Sequence, residues 1–299
     1  MEKIVIITGL TCSGKSELAL KIAKEYNGEI ISADSVQIYR GLDIGSAKES
    51  KSIRDKVPHH LIDIVNFDEK FNVSQFVDEC TKAIKLILSR KHLPIIVGGT
   101  GLYVKALIEG YNFSNIEGNL KFRQKLEELA NKEGNKAVWD ILNVKNPQKA
   151  STVHFNNLKR VIRYIEIEEF GTAEEVVKPL ANYDILTIGV IADREQIYKK
   201  INARVEHMLA LGLEEEIKNL LSLGATREMQ SMNSIGYKEW FDYFDGKTDF
   251  NTTIDLIKQH SRNYCKRQLT FLKTLPSAKL CEIDEAEREI RSFLDDRDK

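Results

Sequence analysis

Residues 9 to 16 carry the clearest chemical signal in the sequence. They fit the pattern G-x-x-x-x-G-K-[ST], after a short apolar run and before a helical stretch. Glycines let such a loop turn its backbone N–H groups inward, and the helix N-terminus and the lysine add positive charge. The pattern therefore predicts a phosphate or diphosphate site rather than a glycine turn without a ligand. Its residues are Gly9, Leu10, Thr11, Cys12, Ser13, Gly14, Lys15 and Ser16, with Ser16 as the expected Mg²⁺ ligand.

A second strand ending in an acidic residue, which ordinary ATP hydrolysis uses to hold magnesium and water, is not evident in the sequence. The best candidate strand, Pro94–Val97, is followed by Gly98-Gly99-Thr100-Gly101. This weakens an NTPase interpretation but leaves a kinase of a nucleotide or small molecule open. Thr100 could donate a hydrogen bond to a ligand that the glycines allow to approach closely, although a plain tight turn explains the segment equally well.

Asp34 is the candidate general base. It follows the predicted strand Glu29–Ser32, and ligands of open α/β sheets collect at the carboxyl ends of strands, so we expect Asp34 to face the same crevice as Lys15. A carboxylate there can orient an attacking amine or hydroxyl and accept its proton. The alternative is a turn or helix-cap role. Arg194 and Arg204 could neutralise a leaving diphosphate, or could simply lie on solvated helix faces.

The elements around these residues alternate between strands and helices. The predicted elements of the first third are Lys3–Thr8, Lys15–Tyr26, Glu29–Ser32, Val73–Ser89 and Pro94–Val97. Residues 119–182 have helical spacing instead. A strand at Tyr183–Ala192 and helices at Glu195–Leu211, Glu214–Leu223 and Ile254–Leu272 follow. We predict an α/β fold with a P-loop NTPase-like parallel sheet flanked by helices, formed by 1–118 and 183–299, and a helical insertion domain at 119–182.

Composition excludes several classes. The 299 residues are 42% hydrophobic and 30% charged, which is typical of a globular protein. The apolar run Ile4–Ile7 is too short for a signal or membrane span, so we expect a cytoplasmic protein without membrane association. The four cysteines lack C-x-x-C spacing, which argues against zinc and disulfides. His59 and His60 lack a ligand pattern, so hydrogen bonding is favoured over metal binding.

Charge distribution tells more than the net charge of −1, which by itself argues against a nucleic-acid partner. Neither Ile141–Ile165 nor Leu256–Cys281 contains an acidic residue, and both are rich in lysine and arginine. Two basic segments are therefore present in a chain of neutral total. The low net charge gives no reason to expect assembly, so we expect a monomer.

Six blocks of the sequence are similar to those of tRNA dimethylallyltransferases, in the family's order. They are Gly9–Ser16, Glu29–Gly45, Pro58–Asp63, Gly98–Tyr103, Ser234–Glu239 and Lys266–Thr270. The resemblance implies that the loop binds dimethylallyl diphosphate with Mg²⁺. It also implies that the acceptor is N6 of the tRNA adenosine on the 3′ side of the anticodon, and that the insertion grips the anticodon stem-loop.

The resemblance also implies roles for individual residues. Asp34 would be the general base, and Lys15 with Arg204 would hold the diphosphate. The residues implied to contact RNA are Asp34, Ser35, Val36, Gln37, Thr100, Arg123, Lys159, Arg160, Val161, Ile162 and Arg163. Cys12, Phe155 and Phe271 depart from the family's usual residues, which affects loop packing and RNA contact but not phosphate chemistry. A non-catalytic RNA-binding protein is a further alternative, disfavoured by the intact Lys15-Ser16 pair and Asp34.

Overall fold

The computed structural model describes residues 1–110, 119–171, 178–275 and 277–296. These divide into two compact units, one formed by Met1–Glu109 with Lys178–Lys299 and the other by Gly110–Val177. The predicted insertion, 119–182, is displaced toward the C-terminus at both boundaries relative to the second unit. No helix of the described residues is long and apolar enough to cross a membrane.

The larger unit contains a six-stranded parallel sheet with the order β3-β2-β4-β1-β5-β6. Its strands are β1 (Lys3–Gly9), β2 (Gly28–Ser32), β3 (His59–His60), β4 (Leu93–Gly98), β5 (Asp184–Val190) and β6 (Ala278–Cys281). The central strands β1, β2 and β4 are almost wholly buried, which matches their continuous apolar runs. This confirms the predicted parallel α/β fold.

The helices follow in chain order. They are α1 (Lys15–Glu25), α2 (Lys51–Arg54), α3 (Val73–Ser89), α4 (Gly101–Glu109), α5 (Leu120–Glu133), α6 (Asn135–Lys145), α7 (Pro147–Ser151), α8 (Leu158–Phe170), α9 (Arg194–Ala210), α10 (Leu213–Ser222), α11 (Trp240–Phe244), α12 (Phe250–Leu272) and α13 (Ile283–Asp295), with a 3-10 turn at Ser231–Asn233. Helices α3, α9 and α12 begin at side-chain caps, namely Asn72, Asp193 and Asp249. The predicted strands and helices are confirmed to within about two residues at their ends, except that α12 begins at Phe250, four residues before the predicted Ile254.

One core of the larger unit lies between the sheet and helices α1 and α13. Ile7, Ile22, Val97 and Ile290 belong to it and are at least nine-tenths buried. Burial of each such aliphatic side chain stabilises the fold by about 1.5–3 kcal/mol. Because α1 is fixed on the sheet by this core, the loop that precedes α1 is held at the carboxyl edge of β1.

The smaller unit is helical. Its core is formed by buried residues of α5, α6 and α8, including Leu126, Leu142 and Ile165. Arg123 on α5 donates to both carboxylate oxygens of the fully buried Glu166 on α8, at 2.7 Å each. This ion pair ties two helices of the unit together.

Candidate active site

The loop after β1 is shaped by its first glycine. Gly9 has φ +151°, and a Cβ there would lie 2.4 Å from the carbonyl oxygen of Val190 on β5. The amide of Leu10 donates to the same oxygen at 3.1 Å. A side chain at position 9 would therefore push the loop off the sheet. Gly9 and Leu10 lie behind the cradle, whose wall is formed by residues 11–16.

Lys15 and Ser13 indicate that this cradle is built for an anion. The Lys15 Nζ donates to the Leu10 carbonyl at 3.1 Å, and within the described part of the chain it forms no ion pair. Burial and the neighbouring Arg204 guanidinium lower the pKa of Lys15 to about 8, against the opposing effect of Asp34. The Ser13 hydroxyl is buried without a hydrogen-bond partner among the described residues. A bound phosphate group would satisfy both side chains.

A cavity of about 440 Å³ opens on this loop. The Arg204 side chain lines it from α9, with Nη1 3.9 Å from the Cys12 sulfur. Glu17 and Glu49 also line it, and burial, followed by the charge of Glu17, raises the pKa of Glu49. The cavity thus contains cations for phosphate oxygens and carboxylates that can face a metal ion.

A second cavity, of about 490 Å³, shares part of its lining with the first. Five residues line both, namely Thr11, Asp34, Ser46, Arg204 and Tyr264. Much of its remaining wall is apolar, with Ile201, Val205 and Met208 of α9 facing it. Asp34 therefore stands where a polar cavity meets a more apolar one.

The carboxylate of Asp34 is fixed by its own turn. Its Oδ1 accepts hydrogen bonds from the amides of Val36 at 2.8 Å and Gln37 at 3.4 Å. Both hydrogen bonds that Asp34 accepts within the described residues end on Oδ1, so Oδ2 can face a substrate. The turn role and the site role, which the sequence presents as alternatives, are thus combined in one side chain.

Gly98 explains how the ends of β2 and β4 come together. A Cβ at Gly98 would lie 2.1 Å from the Ala33 carbonyl oxygen, which accepts from the Thr100 amide at 3.3 Å. The Thr100 hydroxyl accepts from the Ser35 amide at 3.0 Å. This close approach places Thr100 beside Asp34 on the second cavity.

Gln268 and Tyr264 on α12 are site residues that the sequence does not single out individually. Gln268 accepts from the Thr11 amide at 2.8 Å and donates to the Gly99 carbonyl at 3.1 Å, which joins the phosphate loop to the glycine turn. The Tyr264 hydroxyl also donates to Gly99 at 3.1 Å. Burial and the charge of Asp34 raise the pKa of Tyr264 to about 12. The sequence predicts this helix at Ile254–Leu272 and places Gln268 in the block Lys266–Thr270, but it assigns no role to either side chain.

Other predicted residues have different surroundings. Arg194 is not part of the cavity wall described above; its guanidinium lies over the Tyr198 ring, 5.2 Å from the centroid. His59, which also lines the first cavity, makes a hydrogen bond with the Val57 carbonyl, and His60 makes one with Glu29, both at 2.6 Å, so the predicted hydrogen bonds are present.

Segment Leu256–Cys281 contains no acidic residue of its own, but in the structure glutamates of neighbouring helices pair with some of its lysines. Lys258 pairs with Glu206 at 2.5 Å, and Lys279 pairs with Glu289 at 2.7 Å. Segment Leu256–Cys281 is therefore not a continuous basic surface.

The basic residues of the smaller unit divide into exposed and internal ones. Lys159 and Arg160 on α8 are exposed. Val161 and Ile162, which the resemblance implies as RNA contacts, have side chains buried in the core at 0% and 3% exposure, so packing is their role here. Arg123 is engaged by Glu166 but its side chain is 38% exposed, so its RNA contact stays a prediction.

Comparison with known proteins decides the family. The sequence matches the IPP transferase family over residues 37–275 and the isopentenyl transferase family over residues 2–59. The chain belongs to the IPP transferase family. It is 42% identical to a tRNA dimethylallyltransferase of Alkaliphilus oremlandii over 91% of this chain and 88% of the relative.

Solved structures of IPP transferases have the same fold. The full-length tRNA isopentenylpyrophosphate transferase of Bacillus halodurans is 40% identical, with a TM-score of 0.73 over 98% of this chain and 96% of that one. A eukaryotic dimethylallyltransferase acting on tRNA is 26% identical, with a TM-score of 0.82 over 99% of this chain and 79% of that one. As an IPP transferase, the chain is an enzyme of the prenyltransferase class, and the small-molecule kinase alternative is not favoured.

Proposed function

We propose that the protein transfers a dimethylallyl group from dimethylallyl diphosphate to N6 of the adenosine on the 3′ side of the anticodon in tRNA. The observation that carries this proposal is the position of Asp34. It lies where a cavity that contains Lys15 and Arg204 meets a second, more apolar cavity. A base is needed at the point where an amine attacks, and cations are needed where diphosphate leaves.

The diphosphate lies in the first cavity, against residues 11–16 of the loop, with Gly9 and Leu10 behind them. Lys15 and Arg204 stabilise the negative charge that develops on it, and the Ser13 hydroxyl gains the partner that it lacks. Mg²⁺ fits here, because the Ser16 hydroxyl and the carboxylates of Glu17 and Glu49 line the same cavity and supply hard oxygen donors. When bound, the metal would neutralise part of the diphosphate charge.

The reaction forms a bond between the adenine N6 and the allylic carbon as the bond from that carbon to the diphosphate oxygen breaks. The electron pair of the broken bond leaves with diphosphate. Asp34 accepts the N6 proton through Oδ2, while Oδ1 stays fixed by the amides of its turn. Thr100, whose hydroxyl accepts a hydrogen bond from the Ser35 amide, orients the adenine.

The nucleic-acid path begins at Asp34–Gln37 and Thr100, which line or adjoin the second cavity. The target adenine must leave its stack before its N6 can reach Asp34. Unstacking a base costs less free energy in a loop than in a duplex. Exposed cations of the smaller unit, Lys159 and Arg160, together with Arg163 and the partly exposed Arg123, contact the phosphates of the anticodon stem-loop.

The decisive experiment supplies the protein with Mg²⁺, labelled dimethylallyl diphosphate and unmodified tRNA, with a parallel reaction containing labelled ATP and tRNA. Label in the tRNA, located by nuclease digestion and mass spectrometry to the adenosine beside the anticodon, is the expected result. A tRNA with guanosine at that position is the matched control and should remain unlabelled. Phosphoryl transfer from ATP without prenyl transfer would overturn the proposal.

We propose that the protein acts in the cytoplasm, where both tRNA and a water-soluble diphosphate are available. We also propose that it acts as a monomer. Light scattering of the protein alone and with tRNA measures the assembly state. A mass of twice the 34.2 kDa chain without tRNA would show a dimer instead.

A further inference from the structure

Glu216 on α10 accepts four hydrogen bonds with one carboxylate. Its Oε2 accepts from the backbone amides of Asp43 at 3.0 Å and Ile44 at 2.6 Å. Its Oε1 accepts from the amide of Gly45 at 3.1 Å and the hydroxyl of Tyr237 at 2.8 Å. Three consecutive N–H groups that converge on one anion form a backbone nest, a geometry that binds anions strongly.

The segment that forms this nest leads directly into the walls of both cavities. Gly45 and Ser46 line the second cavity, and Ser46 and Ala47 line the first. The carbonyl oxygens of Ser46 and Ala47 each accept from the Gln37 Nε2 at 3.3 Å. The backbone N–H of Gln37 donates to the Asp34 carboxylate at 3.4 Å. A chain of hydrogen bonds and short backbone links therefore runs from Glu216 to Asp34.

Tyr237 is the second part of the chain that is hydrogen-bonded to Glu216. Its side chain is fully buried, and a Cβ at Gly45 would lie 2.6 Å from its ring. Burial, followed by the charge of Glu216, raises the pKa of Tyr237 well above its ordinary value, so its hydroxyl remains a donor. Gly236, the preceding residue, lines the second cavity, as Asp34 does. One carboxylate thus fixes two walls of the site.

We infer that Glu216 is a positioning residue for prenyl transfer, acting through the backbone nest at residues 43–45 and through Tyr237. The inference rests on the proposed function. Glu216 contacts none of the residues 9–16 by the hydrogen bonds of the described structure. Ser46 and Ala47, which follow the nest, line the first cavity, so removal of Glu216 should lower turnover by a larger factor than it weakens binding of dimethylallyl diphosphate.

The first test is Glu216→Ala, with Glu215→Ala as the matched control. Glu215 is a neighbour on the same helix, with a side chain 69% exposed and paired with Lys218. We expect kcat of Glu216→Ala to fall on the order of 10- to 100-fold, the scale produced when a catalytic group is displaced by about 1 Å. KM for dimethylallyl diphosphate should change by a smaller factor than kcat, and the control should behave as the wild type.

Two further readouts separate positioning from loss of fold. Glu→Ala removes the equivalent of an acetate ion, so sodium acetate should restore turnover of Glu216→Ala in a saturable way, while sodium chloride of equal ionic strength should not. In the Asp34→Ala background, Glu216→Ala should have little further effect, because both act at the same carboxylate. Full additivity without acetate rescue would overturn the inference.

If Glu216→Ala does not fold, as a thermal melt would show, Glu216→Gln carries the test. The amide keeps the size of the side chain but presents an NH₂ group to part of the nest, so kcat should fall less than in the alanine variant. Wild-type turnover of Glu216→Gln would contradict the inference. An inactive wild-type enzyme would instead contradict the proposed function, so the two failures are distinguishable.

Discussion

The two ends of strand β2 carry two clusters of charge that differ in how they are balanced. At its amino end, Glu29 is 1% exposed and accepts from His60 at 2.6 Å, His92 at 2.7 Å and Arg90 at 3.3 Å. At its carboxyl end, Lys15 and Arg204 lie close enough to lower the pKa of Lys15, and neither forms an ion pair within the described residues. One cluster is internally satisfied, whereas the other is not.

This difference separates a structural cluster from a binding site. A buried charge that is fully hydrogen-bonded is compatible with a stable fold. Removal of its partners leaves an uncompensated buried charge, which lowers the free energy of unfolding. Two like charges held close together cost the free protein stability. Asp34 and Glu49 offset part of that cost, and a ligand of opposite charge recovers more of it on binding. The sequence identifies both clusters as charged, but only the contacts show that the cluster of Lys15 and Arg204 is the candidate ligand site.

The largest expected effect is at the reacting end. Asp34→Asn should lower the single-turnover rate of prenyl transfer by about 10²- to 10⁴-fold, the contribution of a positioned general base. The affinity for dimethylallyl diphosphate should be nearly unchanged, because Asp34 acts at the amine. Calorimetry measures this affinity, and the exposed Asp55→Asn is the control. A collapse of diphosphate affinity would show that Asp34 acts in the first cavity instead.

The next effect is a pH dependence of diphosphate binding. The pKa of Lys15 is about 8 in the free protein, and a bound diphosphate stabilises the ammonium and raises it. Binding therefore takes up protons. Affinity should be constant below about pH 8 and should fall as pH rises above it, by about tenfold per pH unit until the pKa of the complex is reached.

Calorimetry of dimethylallyl diphosphate in buffers with different ionisation enthalpies measures the proton uptake directly. Lys15→Met should bind weakly and without this dependence, whereas Lys15→Arg keeps its charge at every pH used and should also show a flat profile. Equal affinity of the wild type at pH 7 and pH 10 would mean that Lys15 is not perturbed as the structure indicates.

The satisfied cluster should respond differently. Burial alone would raise the pKa of Glu29, but hydrogen bonds from His60, His92 and Arg90 outweigh it and hold the pKa below its ordinary value of 4.5. Glu29→Gln should therefore lower the free energy of unfolding by about 1–3 kcal/mol at neutral pH. Diphosphate affinity should stay the same.

The sign follows from linkage. A carboxyl whose folded-state pKa is lowered stabilises the protein above its unfolded pKa, and this contribution is lost as pH falls through the folded value. Urea unfolding should thus show the wild type losing its advantage over Glu29→Gln below about pH 4.5. The control is Glu79→Gln, whose side chain is 45% exposed and pairs with Lys82. A difference that stays constant into acid would mean that the ionised form of Glu29 is not what stabilises the fold.

Much of the fold could be predicted because its signals are local. The phosphate loop, the buried strands β1 and β4 and the long helices α3 and α12 each carry their pattern within a few turns of chain. Strand β6 has only four residues and β3 only two, too few for periodicity to distinguish them from loops. Helix α13 is strongly amphipathic, with Ile283, Ala286 and Ile290 on its apolar face, and could have been found by its spacing.

The site was predictable only where one residue type identifies the chemistry. Lys15 and Asp34 follow strands in ways that indicate ligand contact. Gln268 joins two loops that lie 257 and 169 residues away, and such long-range contacts leave no local pattern. Glu216 is one of three consecutive glutamates; helical spacing places it nearer the buried face of α10 than its exposed neighbour Glu215, but does not show what it binds. Tertiary contacts alone assign these roles.

The smallest expected effect tests whether the same distinction holds in the smaller unit. Arg123 is balanced by Glu166, whereas Lys159 and Arg160 are exposed and form no ion pair within the described residues. The double change Lys159→Glu and Arg160→Glu should weaken tRNA binding several-fold and lessen its salt dependence by about 0.7–0.9 in log–log slope per lost phosphate contact.

Stability should hardly change, since solvated surface charges contribute little to it. Filter binding across a salt series measures the slope, and Lys136→Glu, exposed on α6 and paired with Asp140, is the matched control. Arg123→Ala should show the opposite pattern, a clear loss of stability, because the buried Glu166 loses two hydrogen bonds of 2.7 Å and keeps Arg163 at 3.4 Å. If instead the double change left the salt slope as it was, the exposed cations of α8 would not lie on the RNA surface, and a lack of ion pairing would not by itself mark a binding site.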